Sequence, residues 1–273
     1  MIEILKAIII GIVEGITEWL PISSTGHIIL VDELLKLNVS SEFMSMFKIV
    51  IQLGSILAVV VLFWNDVFPF DKERGRLIAN RDKFNLWGKI IVACIPAALI
   101  IPFDDKFEEW FHKPIPIALA LIIVGILFIV VENRNKNKVL DVDSVKGITY
   151  KMAIIIGVFQ LISGIFPGVS RSGATILGGI LLGLTRTVAA EFTFYLAIPV
   201  MFGASFLKLL KFGLNFTGFE LMILLIGSLV SFAVSVATIK FLLSYVKKHD
   251  FKVFGWYRIV LGIIVILYFT ILN

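Results

Sequence analysis

The sequence predicts an all-α polytopic membrane protein: an inverted-topology repeat with two re-entrant helical hairpins and about six full transmembrane helices. Three observations carry that prediction. The 273-residue chain is 59% hydrophobic and only 16% charged, with a mean hydropathy of +0.99, whereas soluble domains average about 25% charged. Several apolar stretches reach the 18 or more residues needed to cross a hydrocarbon core about 30 Å thick. Two further apolar segments, far apart in the chain, are each interrupted by a Pro/Gly/Ser-rich turn.

Segment 1–37 opens with a short apolar helix that runs into Glu14, Glu18 and the turn Pro21-Ile22-Ser23-Ser24-Thr25-Gly26-His27. Lys6 is a weak basic flank and the apolar run leads directly to carboxylates, so this segment is expected to stay in the mature protein. Full spans follow near 44–64, 86–103 and 115–132. A cytoplasmic linker, 133–147, joins these to segment 148–184, broken at Pro167-Gly168-Val169-Ser170-Arg171-Ser172-Gly173-Ala174-Thr175. Spans near 188–210, 219–244 and 254–271 complete the chain. The arms of segments 1–37 and 148–184 are marginal for spanning. Non-helical backbone survives at membrane depth only when protein or a water-filled cavity surrounds it, so both segments read as re-entrant hairpins rather than paired spans with a surface loop. Cys94 has no partner for an internal disulfide and sits among apolar neighbours as a core residue.

Loop charge orients these elements. Lys72, Arg74, Arg76, Arg81 and Lys83 crowd loop 65–85; Arg134, Lys136, Lys138, Lys146 and Lys151 crowd loop 133–151; Lys247, Lys248 and Lys252 lie near 245–253. Loop 104–114 sets Lys106 and Lys113 against Asp104, Asp105, Glu108 and Glu109, while 24–43 and 211–218 add only Lys36 and Lys211. The positive-inside rule makes the first three loops cytoplasmic. The alternation closes if each hairpin returns to its own side, which faces both termini outward and admits the first hairpin from outside and the second from the cytoplasm. The net charge of +5 belongs to these loops and to anionic headgroups, and argues for no nucleic acid.

The two broken segments align without a gap at an offset of 146 residues, matching Gly11 with Gly157, Glu14 with Gln160, Thr17 with Ser163, Pro21 with Pro167 and Ser24 with Ser170. An odd number of spans follows each, so 1–132 and 148–273 read as halves of opposite topology whose broken helices meet near the midplane.

A charged side chain at bilayer depth costs roughly 2.5–3.5 kcal/mol on insertion scales and is kept where it lines a cavity or does chemistry. Glu14 and Glu18, with Gly11 and Gly15, share one helical face. Two close carboxylates can hold a divalent cation, or one can act as a base while the other stays protonated. Ser23, Ser24, Thr25 and Gly26 offer hydroxyls and the amides of a helix N-terminus to an anion, and His27 offers a general acid or base, or with a carboxylate an activator of Ser24. His112 and His249 read as ordinary loop residues. Arg171 carries a permanent charge in a fork that matches phosphate oxygens, and with Ser170, Ser172, Gly173 and Thr175 it reads as an anion cradle. In the empty state it could equally pair with Glu14 or Glu18.

At these two motifs, Glu14-Gly-Ile-Thr-Glu18-Trp-Leu-Pro-Ile-Ser-Ser24-Thr-Gly-His27 and Pro167-Gly-Val-Ser-Arg171-Ser-Gly-Ala-Thr175, the chain closely resembles the bacterial undecaprenyl-diphosphate phosphatase family, also called the bacitracin-resistance protein family. No motif position departs from the pattern, and the resemblance spans essentially the whole chain. It implies removal of the terminal phosphate of undecaprenyl diphosphate at the outer face of the plasma membrane, which recycles the carrier for peptidoglycan synthesis. It also implies help from Mg²⁺ or Ca²⁺, and it places the essential positions on Glu14, Glu18, Ser24, His27 and Arg171. The catalytic candidates are therefore Glu18, Ser24, His27 and Arg171. The substrate-binding candidates are Ser23, Thr25, Gly26, Ser170, Arg171, Ser172, Gly173 and Thr175, and the metal candidates are Glu14 and Glu18. Either Ser24 or a water activated by His27 would attack phosphorus. The partners expected are a polyprenyl diphosphate lipid and the surrounding membrane lipids; a homodimer is left open. A flippase of undecaprenyl phosphate suits the inverted repeat too, since transporters share that plan. An intramembrane serine protease has no use for a dianion cradle, and an acid phosphatase of the phosphatidic-acid type would need a second histidine between Arg171 and His249, where none occurs.

Overall fold

Four of the six spanning helices begin where a small polar side chain caps them, ahead of the predicted start of the span. The computed structural model describes residues 2–73, 75–136, 140–213 and 216–272. Arg74 and Lys138, counted above among the loop cations, lie outside the described residues, as do positions 1 and 273. In chain order the elements are α1 (Ile2–Thr17), α2 (Ser24–Leu35), α3 (Ser41–Leu62), the single turn α4 (Trp64–Val67), strands β1 (Phe70–Glu73) and β2 (Arg76–Ala79), α5 (Arg81–Ala98), α6 (Asp104–Phe111), α7 (Pro114–Asn135), α8 (Tyr150–Ile165), α9 (Arg171–Leu181), α10 (Arg186–Phe212), α11 (Gly218–Val246) and α12 (Lys252–Leu267).

Six helices are long and apolar enough to cross a membrane: Ser41–Leu62, Arg81–Phe103, Pro114–Asn135, Arg186–Phe212, Gly218–Val246 and Lys252–Ile271. They coincide with the six predicted spans. Ser40 accepts from the Phe43 amide, Asn80 from Asp82 and Lys83, and Thr185 from Val188, while Thr217 and Glu220 form a reciprocal capping box. These caps satisfy amides with no intrahelical acceptor, so each helix starts ahead of its apolar run. The arms of the broken segments are 16 and 12 residues in α1 and α2, and 16 and 11 in α8 and α9, all below the ~20 residues a span requires. Two of the predicted loops carry short elements of their own. Loop 65–85 holds the antiparallel pair β1–β2, turned at Gly75 with φ +81°, and loop 104–114 holds α6.

Apolar side chains fill a buried core and also cover the outer face, while polar side chains within the helices turn inward. Leu5, Ile9, Ile12 and Ile16 of α1 are exposed, while Glu14, Thr17 and Glu18 are buried together with Ser55, Ser231 and Ser235 of α3 and α11. Lipid supplies no hydrophobic drive between helices, so close packing of small residues and buried hydrogen bonds holds them together. At Gly54 an added Cβ would lie 2.0 Å from the Ser228 carbonyl oxygen, so only glycine permits α3 to approach α11 this closely. One residue on, the Ser55 and Ser231 hydroxyls are 2.6 Å apart. Glu132, at the end of α7, is held by Arg186 through both carboxylate oxygens and accepts from the Phe251 amide, tying α7 to α10 and to the entry of α12.

Candidate active site

The two helix breaks are built alike. Ser23 and Ser170 both take positive φ (73° and 70°), and each hydroxyl accepts from the amide three residues on, Gly26 or Gly173, at 3.3 Å. A positive φ costs a non-glycine residue roughly 1–3 kcal/mol, a strain that concentrates at functional sites. This capping corrects the sequence alignment. Ser23 is the counterpart of Ser170, and Ser24 that of Arg171, because the second turn, Pro167–Val169, carries one more residue between its proline and its cap. The nucleophile candidate and the cationic candidate are thus the first residues of two short helices, and both line one cavity of about 280 Å³.

Glu18 links them. Its Oε1 accepts from Arg171 Nη2 at 2.9 Å and its Oε2 from Ser24 Oγ at 3.0 Å. The pairing of Arg171 with a glutamate across the two broken segments is therefore present, and Glu18 is the partner. Arg171 Nη1 donates to the Thr193 carbonyl of α10 at 3.1 Å, and its guanidinium lies 5.9 Å from the Trp19 ring centroid. Trp19 is fully buried, edge-on to Phe194. The guanidinium is thereby aimed by groups on three sides, while 13% of its side-chain surface stays open.

The remaining candidates divide into those that face the cavity, those that support the turns, and Glu14, which does not line the cavity. Thr25 and Ser170 line the cavity with Glu18, Ser24 and Arg171. Ser23 and Gly26 form the cap of α2 and are buried. Ser172 donates to the Leu20 carbonyl at 3.3 Å, Gly173 supplies the capped amide of α9, and Thr175 bonds the Thr193 hydroxyl at 2.8 Å behind the turn. Glu14 is fully buried, with neither carboxylate oxygen in a hydrogen bond, and Gln160 opposite it in the repeat is unpaired in the same way.

His27 is not in the cavity wall. Its Nδ1 donates to the Ser23 carbonyl at 2.7 Å, which leaves Nε2 to accept from the Tyr257 hydroxyl, also at 2.7 Å, with the two rings stacked. His27 thus makes no hydrogen bond to Ser24, whose hydroxyl donates to Glu18 Oε2. The imidazole that does line the cavity is His112, read from sequence as an ordinary loop residue. Gln52 of α3 lines it as well.

A second cavity of about 550 Å³, walled by α6, α7, α8 and α9, is almost wholly apolar. Adjacent residues divide the two spaces: Phe111, Ile162, Phe166 and Val169 face the apolar one, and their successors His112, Ser163, Pro167 and Ser170 face the polar one. The chain thus builds a polar compartment and an apolar compartment back to back on the same backbone. Sequence reasoning missed Gln52, His112, Thr193, Tyr257 and Arg258, the last a buried residue of α12 that donates to the Pro21, Gly168 and Val169 carbonyls of the two turns. Arg258 alone carried a signal, as a lone arginine inside an apolar span.

The chain is similar to known proteins over nearly its whole length. Residues 7–264 match the family model described as Bacitracin resistance protein BacA. The chain is 64% identical over 271 residues to the Undecaprenyl-diphosphatase of Desulfitobacterium hafniense, covering 99% of this chain and 97% of that protein. It is 58% identical over 270 residues to that of Acetivibrio thermocellus, covering 98% of each, and 60% identical over 268 residues to one of Enterococcus faecalis, covering 97% of each.

Proposed function

The chain belongs to the Bacitracin resistance protein BacA family, and from that premise we propose that it hydrolyses undecaprenyl diphosphate to undecaprenyl phosphate and inorganic phosphate. The observation that carries the chemistry is the Ser24–Glu18–Arg171 chain at the wall of one polar cavity. The adjoining apolar cavity supports an amphipathic substrate, with the diphosphate in the first space and the start of the prenyl chain in the second.

The residues distribute the reaction as follows. The terminal phosphoryl group enters beside Arg171, whose fork and the N-terminal amides of α2 and α9 stabilise its charge. Ser24 Oγ attacks phosphorus and its proton passes to Glu18 Oε2. The Oγ–P bond forms as the bridging P–O bond breaks, and the prenyl phosphate leaves with its electron pair. Water then attacks the phosphoserine as the Oγ–P bond breaks; Glu18 Oε2 returns its proton to the departing Ser24 Oγ, and the proton of the attacking water leaves on inorganic phosphate. His27, held between Ser23 and Tyr257, orients the first turn of α2 rather than exchanging protons with Ser24.

A divalent cation fits the donor set in one respect: the Glu14 carboxylate is buried and has no hydrogen-bond partner. Glu14, with Glu18 and substrate phosphate oxygens, would hold Mg²⁺ or Ca²⁺, which keep few protein carboxylates when phosphates supply the rest. Such an ion would neutralise phosphate charge. The loop-charge pattern supports termini and a first hairpin that face outward, with both broken segments re-entrant in opposed halves, and a site reached from the outer face. There the product would return to the carrier pool of cell-wall synthesis.

Purified protein in detergent, given undecaprenyl diphosphate with and without chelator, tests the reading. Phosphate release that Arg171→Met abolishes is expected; absence of release with any divalent cation would refute it.

A further inference from the structure

Arg258 of α12 is fully buried and forms no ion pair among the described residues. Its hydrogen bonds all go to backbone. Nη1 donates to the Pro21 carbonyl at 3.1 Å, and Nη2 to the Gly168 and Val169 carbonyls at 2.8 and 2.9 Å. Those acceptors belong to both helix breaks. Carbonyls at a break have lost their helical donors, and at membrane depth no bulk water replaces them. A serine or an amide could satisfy one of them. Only a rigid guanidinium fork can reach two turns of backbone at once, and it stays charged while doing so.

The surroundings make room for this side chain. Gly255 and Gly125 bring α12 against α7, a Cβ on either lying 2.6–2.7 Å from the other's carbonyl oxygen. Gly173, in the second motif, has no side chain where a Cβ would come within 3.1 Å of Arg258 Nη1. The preceding residue, Tyr257, holds His27. Two consecutive residues of α12 therefore grip both breaks.

We propose that Arg258 is a positioning residue of the phosphatase: it clamps the turn that delivers Ser24 to the turn that delivers Arg171, and so sets the separation at which nucleophile and guanidinium meet one phosphoryl group. Ser24 follows Pro21 by three residues and Arg171 follows Val169 by two, leaving little slack between the clamp and the reacting groups. This inference rests on the phosphatase reading.

The test compares Arg258→Met and Arg258→Lys with the wild type in detergent, measuring kcat and KM per folded molecule and amide hydrogen exchange along the chain. A displacement of about 1 Å at reacting groups costs about 100-fold in rate, so Arg258→Met is expected to lower kcat by about that factor with KM changed less than about threefold. Arg258→Lys, which keeps the charge but reaches one turn, should recover about tenfold of the loss. In both variants the amides of 22–26 and 168–173 should exchange about tenfold faster while those of α3 and α11 do not change. A folded Arg258→Met with kcat within about threefold of wild type would overturn the proposal. So would a rate loss without faster exchange in the two turns, or an Arg258→Lys that fails to fold, since that arginine would be architectural only. Failure of the phosphatase reading is a different result: a wild type that releases no phosphate, with the clamp still judged by exchange.

Discussion

Replacing Glu18 by glutamine removes one charge from the centre of the site at nearly constant volume. In the native protein both carboxylate oxygens are engaged, Oε1 by Arg171 at 2.9 Å and Oε2 by Ser24 at 3.0 Å, and the ion pair is only 8% and 13% exposed on its two side chains. An amide can accept from Arg171 only by turning its NH2 toward Ser24, where it donates to Oγ and can no longer take the hydroxyl proton, and the guanidinium loses its counter-charge. Breaking a buried pair from one side costs about 3–5 kcal/mol, because the remaining charge is left uncompensated. The catalytic loss has a separate origin. General-base assistance is worth roughly 10²–10⁴ in rate, or about 2.7–5.5 kcal/mol of barrier. Phosphate release from undecaprenyl diphosphate, normalised to folded protein, should therefore fall at least about 100-fold. Thermal unfolding in detergent should show that Glu18→Gln combined with Arg171→Met is less destabilised than the sum of the single changes, by up to about 3 kcal/mol. A folded Glu18→Gln variant with kcat within about threefold of wild type would refute the assignment of Glu18 as the base for Ser24.

Ser24→Ala removes the nucleophile and should reduce turnover at least about 1,000-fold; substantial surviving release would instead favour direct attack by water. Glu14→Gln should raise the Mg²⁺ concentration needed for half-maximal activity by about tenfold or more, and an unchanged cation dependence would remove Glu14 from any metal site. Gly54→Ala must push α3 from α11, since its Cβ would sit 2.0 Å from the Ser228 oxygen, at a cost of about 1–3 kcal/mol. Thermal unfolding reads that loss directly, and an unshifted transition would show that the α3–α11 contact is looser than it looks. His112→Gln keeps a polar group in the cavity wall but removes the proton-carrying imidazole, so a changed pH profile of kcat is expected; an unchanged profile would reduce His112 to lining.

The sequence by itself determined the membrane class, the six spans, the two broken segments and the residue types of the site. Each of these follows from local pattern. Apolar length decides a span, a Pro/Gly/Ser turn decides a break, and a carboxylate or guanidinium in an apolar run stands out because lipid does not tolerate it. Even the Glu–Arg pair was open to inference, as a buried cation calls for an anion. The tertiary structure alone decided who touches whom. The sequence offered His27 as partner for Ser24, but the fold turns that ring to Ser23 and Tyr257 and assigns the hydroxyl to Glu18. It offered a gapless repeat, but the extra residue before Ser170 moves Arg171, not Ser170, into register with Ser24. It held no hint that His112 would face the cavity, nor that Arg258 would reach two turns far from it in the chain. Pattern reports the environment each residue needs, whereas the partner that supplies it depends on how close the helices lie and how they are rotated. In this chain small residues packed against facing backbone, such as Gly54 on Ser228 and Gly255 on Gly125, set those distances.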